Sequence, residues 1–373
     1  MTRGKFPLVF DSGNRRRPQT HALLLGVGSY PRLRGGANEA GETYGLGQLE
    51  SPPLSARKLA TCLIERRGDL LPPLGSVELL ASGGAFTHPD GATVALRPPR
   101  FGAIKGAFNR WRQRCEANPE NFALFYFCGH GVERDALLLF AEDILTDEHR
   151  IGEHAIDFDK TNWALASRNI GRQLFLLDCC RNVPGTMQDI ETIGVPLFDW
   201  DRSKPDAPNR ATFLAAARGQ TAHAPPRGVS YFTQAIIDGL MGRAADRKSE
   251  DAQCWLVTTS RLVASVTGRM RELGFDWSPG RDVAAFDILT CARAIVPTSV
   301  DSAPPEALRS GSLHVCERGG VPFPAPAPRG DRYQFELLDG TYSFRASFSK
   351  DQHPPVSAEQ NVGPPSHHWR VKV

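Results

Sequence analysis

Apolar residues in this chain come in short closed runs, with stretches of helical periodicity between them. His21-Ala-Leu-Leu-Leu-Gly-Val-Gly28 is an apolar run ending in glycines, the pattern of a strand buried on both faces. Ser76-Val-Glu-Leu-Leu80, Phe122–Cys128, Ala136–Phe140, Gln173–Asp178 and Ala211–Ala217 are further strand candidates, and 136–140 is placed to fold back as a hairpin. Leu54, Leu59, Cys62 and Leu63 recur at helical spacing and predict a helix over 54–66 with Ser55 as its cap. Ile104, Phe108 and Trp111 share one face of a helix over 101–115. Helices are also predicted around 157–168, over 230–240 and over 260–273. Residues 29–52 and 182–210 lack periodicity and read as exposed loops. Strands alternating with helices predict an α/β domain with a mostly parallel sheet covered on both faces.

The pattern changes near residue 297. Pro297–Pro305 is rich in proline and serine and reads as part of a linker over 297–309. Beyond it, Ser312–Val315, Tyr333–Leu338 and Thr341–Phe348 read as short strands, and Asp339-Gly340 between two of them is a hairpin signal. The predicted organisation is therefore a flexible basic arm over 1–19, an α/β domain over 20–296, the linker, and a small β-rich appendage over 310–373.

Composition narrows the class. The 373 residues are 41% hydrophobic, enough for a sizeable core. A net charge of +3, with Arg and Lys scattered, gives no nucleic-acid footprint, and Arg15-Arg16-Arg17 reads as a solvated arm. There is no uninterrupted apolar run of membrane-spanning length, and the apolar run near the N-terminus is too short for a signal peptide. A cytoplasmic protein with no membrane partner is expected. The eight cysteines are irregularly spaced without a C-x-x-C pair, which points to reduced thiols and to no structural zinc site.

Two of the apolar runs stop at reactive residues. Phe122-Ala-Leu-Phe-Tyr-Phe-Cys-Gly-His-Gly131 carries His130, and Gln173-Leu-Phe-Leu-Leu-Asp-Cys-Cys-Arg181 carries Cys179 and Cys180. Both motifs sit just past a strand's carboxyl end, the rim where active sites of such sheets gather. A thiol beside an imidazole makes a nucleophile and its base. Glycines on both sides of His130 permit a tight turn and close backbone approach. Strand alternation sends the side chains of Cys179 and Cys180 to opposite faces, so only one of them should meet His130.

Three stretches, Phe127-Cys-Gly-His-Gly131, Asp178-Cys-Cys-Arg181 and Gly228–Leu240, resemble the caspase-like cysteine peptidases, the group of caspases, metacaspases and prokaryotic caspase-like enzymes. His130 precedes Cys180 by 50 residues, as in the caspase pattern. The resemblance covers about 20–295 and implies a three-layer α/β/α fold. It implies that Cys180 is the nucleophile, His130 the general base and acid, and the amides of Gly131 and Cys180 the oxyanion hole. It also implies that Asp178 lines the primary specificity pocket, with Cys128 beside it and Glu39 as a second acid from the 29–52 loop. A carboxylate at that place implies protein or peptide substrates cut after Arg or Lys. Arg181 stands where metacaspases carry histidine.

Family practice further implies an upstream activating protease and a cell-death or defence pathway. Arg202, Lys204, Arg210, Arg243, Arg247 and Lys248 are then candidate processing sites. No cofactor is expected; calcium dependence stays open, although Asp143 and Asp147 lack a calcium-ligand spacing. Two rivals are a catalytically silent scaffold and a redox or metal protein using Cys128, His130, Cys179 and Cys180.

Overall fold

The structure of the chain is a computed structural model, which describes residues 8–14, 16–148, 150–187, 193–198, 209–248, 253–280, 282–309, 311–348 and 353–373. Its central sheet has six strands in the order Leu8–Asp11, Leu74–Ala81, Thr20–Gly26, Phe122–Cys128, Arg172–Asp178 and Arg210–Leu214. All neighbours pair in parallel except Leu8–Asp11, which runs antiparallel to Leu74–Ala81. Part of the arm expected over 1–19 is thus an edge strand.

Side-chain alternation feeds two helical layers. On one face, Leu23, Leu25, Phe125, Phe127, Phe175 and Leu177 share a core with Ile104, Phe108 and Trp111 of helix Phe101–Glu116 and with Phe158 and Leu165 of helix Phe158–Ala166. Asp157 caps the second of these helices by accepting Lys160 N–H at 2.9 Å. On the other face, Gly26 lies so close to helix Ser51–Glu65 that a Cβ there would sit 2.8 Å from Ala56 Cβ. Tyr126 on that face reaches Thr233 of helix Tyr231–Asp238 at 2.7 Å. The result is the expected α/β/α sandwich.

Helix Ser51–Glu65 starts three residues before its predicted start, because Pro52 and Pro53 fit a first turn that needs no N–H donors. Ser55 is therefore inside the helix, not its cap, and its hydroxyl accepts Ser230 N–H at 3.0 Å. The 182–210 stretch is not wholly exposed either: Met187 and Leu197 are buried.

By compactness the chain divides into Met1–Ile237 with Val266–Leu289, and Asp238–Ser265 with Thr290–Val373. In the second unit, strand Ile295–Ala303 pairs antiparallel with Arg332–Leu338 and parallel with His367–Lys372. A four-stranded sheet runs Phe323–Pro324, Ser312–Glu317, Gly340–Ser347 and Val356–Val362. Most of the stretch expected as a linker is therefore strand. Its prolines at 297 and 304 sit within the strand and just past its end, and apolar Val296 and Val300 are buried. Asp339-Gly340 is not a hairpin turn. The strands it joins belong to different sheets, and Asp339 instead binds Ala294 through backbone and side chain at 2.9 and 2.7 Å. No helix among the described residues is long and apolar enough to cross a membrane.

Candidate active site

The site begins with strand register. Gly26, Cys128 and Asp178 are aligned across three adjacent parallel strands. His130 and Cys180 each follow two residues later, so the chain delivers them side by side at one end of the sheet. Gly129 N–H donates to Asp178 O at 3.3 Å across the same seam. The backbones then approach so closely that only glycine fits at 131. A Cβ there would stand 2.8 Å from Cys179 Sγ and 3.0 Å from Cys180 O.

His130 is 8% exposed. Its Nε2 lies 2.7 Å from Gly47 O. A carbonyl only accepts, so Nε2 carries the proton and Nδ1 keeps a lone pair. The His130 backbone N–H donates to Tyr30 Oη at 2.8 Å, and the two rings lie 4.8 Å apart, tilted. Burial pulls the imidazole pKa below its ordinary value, while the bond to Gly47 works the other way.

Cys179 and Cys180 part as alternation predicts. Cys179 is 1% exposed and belongs to the core shared with Phe127 and Leu177, whereas Cys180 is only partly buried. Ala222 N–H points at Cys180 Sγ at 3.4 Å. Burial pushes the Cys180 thiol up, the Ala222 amide lowers it, and the Asp178 charge raises it. In this state both groups are neutral near neutral pH. Arg181 turns away: its guanidinium pairs with both carboxylate oxygens of Glu133 and donates to Ala216 O at 3.1 Å.

Asp178 is 3% exposed. Its Oδ2 accepts the hydroxyls of Ser230 and of Thr233, the latter at 2.6 Å. Burial pushes its carboxyl pKa up, and hydrogen bonds from Ser230, Thr233, Cys128 and Tyr126 oppose the shift. The structure thus brings Asp178 and Cys128 together. It does not bring Glu39 to them. Glu39 is exposed and folds back on its own loop, where its Oε2 accepts Gly35 N–H at 2.8 Å. A carboxylate with a local amide partner and open solvent has no drive to enter a buried pocket.

Ser230, Thr233, Tyr30, Gly47 and Gln48 were not singled out by sequence. Ser230 also caps the helix it precedes, accepting Thr233 N–H at 3.0 Å, and a serine before an apolar helix was a readable sign. Tyr30 sits in a run that reads as surface loop, yet is fully buried. An aromatic in a run of glycines and polar residues, which Tyr44 shares without being fully buried, is a weak signal for it.

The candidate processing sites separate. Arg202 and Lys204 lie outside the described residues. Arg210 opens a strand, its side chain is 11% exposed, and it donates to Asn162 O at 3.0 Å. Arg243 is equally covered and pairs with Glu336 at 3.1 Å. Neither is an exposed loop residue, because each guanidinium has been drawn into an ion pair or strand-edge bond. Arg247 and Lys248 lie in strand Ala245–Lys248, and only their backbone is described.

A model of the caspase domain family matches residues 19–283. The chain belongs to that family of cysteine peptidases. It is also similar to an uncharacterized protein of Sinorhizobium fredii, y4kE, with 29% identity over 198 residues, covering 52% of this chain and 57% of that protein. The chain thus aligns with little more than half the length of this relative.

Proposed function

We propose that the chain is a cysteine endopeptidase in which Cys180 is the nucleophile and His130 the general base. The observation that carries this reading is the equal register of the two strands, with the His130 proton parked on Nε2 by Gly47. Nδ1 takes the Cys180 thiol proton and the thiolate attacks the substrate carbonyl carbon. The amides of Gly131 and Cys180 receive the developing oxyanion, a contribution of about 3 kcal/mol per donor. The imidazolium then returns its proton to the leaving amine, giving a thioester that water hydrolyses with His130 again as base.

Asp178 selects the residue before the cut. A carboxylate in a dry pocket attracts a guanidinium or ammonium far more strongly than it would in water. In the resting site the hydroxyls of Ser230 and Thr233 both donate to Oδ2, an acceptor for which a basic side chain would compete. Substrates are proteins or peptides cut after Arg or Lys, and the enzyme works in the cytoplasm. The enzyme is latent at rest, with Ala222 N–H seated on Cys180 Sγ at 3.4 Å, and is switched on by an upstream protease in a cell-death or defence pathway. With Arg210 and Arg243 covered, Arg202 and Lys204 are the preferred processing points. Cleaving the chain with a trypsin-like protease should raise its activity on an Arg-containing fluorogenic peptide; no gain after complete cleavage at Arg202 and Lys204 contradicts the latent form.

A catalytically silent scaffold is the second reading, favoured by the deep burial of His130. Labelling by a peptidyl-arginine acyloxymethyl ketone separates the two: a stoichiometric adduct on Cys180 rules out the scaffold.

A further inference from the structure

Residues 29–49 leave the end of strand Thr20–Gly26 and fold back on it, with Leu49 N–H donating to Gly28 O at 2.8 Å. Gln48 organises that return. Its Oε1 accepts Tyr30 N–H at 2.8 Å, and its Nε2 donates to Tyr30 O at 2.9 Å and to Arg34 O at 3.1 Å. One side-chain amide therefore satisfies both backbone groups of Tyr30 and a third group across the loop, using its acceptor and both donors. Gly47, the covalent neighbour of Gln48, is then placed with its carbonyl 2.7 Å from His130 Nε2.

Tyr30 closes the circuit. It is fully buried, its hydroxyl accepts His130 N–H at 2.8 Å, and it donates to Val27 O at 3.1 Å. Gly129 leaves room for it, since a Cβ at 129 would lie 2.8 Å from the phenol oxygen. The histidine is held at three points: its backbone by the Tyr30 hydroxyl, its ring face by the Tyr30 ring, and its Nε2 by Gly47. Two of these come from Tyr30, and the third hangs on the residue that clamps Tyr30.

We propose that Tyr30 and Gln48 are positioning residues for His130, Gln48 by fixing the loop that presents the Gly47 carbonyl and Tyr30 by fixing the histidine backbone and ring plane. Tyr30 is fully buried, and the Gln48 amide is taken up by Tyr30 and Arg34. Together they set the imidazole tautomer, so that Nδ1 is the atom free to take a proton. This rests on the dyad reading for the work assigned to the ring, but the tautomer itself does not depend on turnover. A hydrogen-bonded amide on a loop, not a buried acid, here does the orienting.

The test uses the full chain. Long-range 1H–15N spectra of histidine-labelled Cys180→Ala protein should give His130 as the Nε2–H tautomer. Adding Gln48→Met or Tyr30→Phe should convert that signature to the averaged one of an exposed histidine. With Cys180 intact, both variants should lose about 10- to 100-fold in kcat, the scale of an ångström-level misplacement, with KM within about twofold. Gln48→Glu keeps the acceptor for Tyr30 N–H and should fall between wild type and Gln48→Met. Far-UV circular dichroism verifies folding, and Gln48 lies on an exposed loop where substitution spares the core. An unchanged His130 signature, or an unchanged kcat, in a folded variant overturns the proposal. If Cys180→Ala protein still cleaves peptides, the dyad reading fails while the spectral arm still decides the tautomer claim.

Discussion

At the scale of single residues the site is a set of groups moved from their ordinary states by burial. His130 is pulled down and Cys180 pushed up, so the resting pair is imidazole and thiol, not imidazolium and thiolate. The sign has a measurable consequence. The base must be neutral to accept a proton, so kcat/KM should rise with pH through a limb below the ordinary histidine value of 6.5. Iodoacetamide should alkylate Cys180 slowly at neutral pH and faster above the ordinary thiol range. Rapid alkylation persisting at pH 5 would mean a preformed thiolate and would contradict this picture. Asp178 offers a second residue-level outcome. Asp178→Asn removes the charge and keeps the shape, and kcat/KM for an Arg substrate should fall about 10- to 100-fold while a neutral substrate changes little.

At the scale of elements, the seam between strands Phe122–Cys128 and Arg172–Asp178 decides how closely the two motifs meet. Gly131→Ala would drive a Cβ toward Cys179 Sγ and Cys180 O, costing about 1–3 kcal/mol in stability and most of the activity. Cys179→Ala in the same chain removes the nearest atom and should recover part of the melting temperature. No recovery would mean that the crowding lies elsewhere. The strands and their reactive ends were legible in sequence because a short apolar run with an abrupt polar stop suits a buried strand and little else. Cys180 was separated from Cys179 by family motif, and strand alternation agreed. Tyr30, Gly47 and Gln48 were not legible. They act through a loop held by the Gln48 side-chain amide together with irregular backbone bonds such as Arg34 N–H to Leu46 O at 3.1 Å, and through a partner about 100 residues away, and a single sequence carries no periodic trace of such bonds. Glu39 failed for the same reason: a loop acid does not declare whether it faces a pocket or its own backbone.

At the scale of the whole molecule, exposure separates basic residues that a protease can reach from those it cannot. Arg227 is 88% exposed, whereas the Arg210 and Arg243 side chains are 11% exposed. Cleavage needs locally extended backbone, so covered strand and ion-pair positions are cut only after local unfolding. Brief trypsin treatment of folded protein, read by mass spectrometry, should find cuts after Arg227 before any after Arg210 or Arg243; the opposite order would refute these side-chain placements. The proline-rich stretch near 300 reads as a linker in sequence and is mostly strand in the structure. Prolines there sit within and beside a strand whose Val296 and Val300 are buried, so composition points to a linker where packing makes a sheet.

In the proposed reaction Cys180 attacks peptide bonds that follow a basic residue. A panel of fluorogenic peptides differing only at the residue before the cut, run on wild-type and Cys180→Ala protein after protease treatment, tests it most directly. The expected result is hydrolysis of the Arg and Lys peptides by wild type and none by Cys180→Ala. Equal hydrolysis by both proteins, or a preference for Asp, would contradict it.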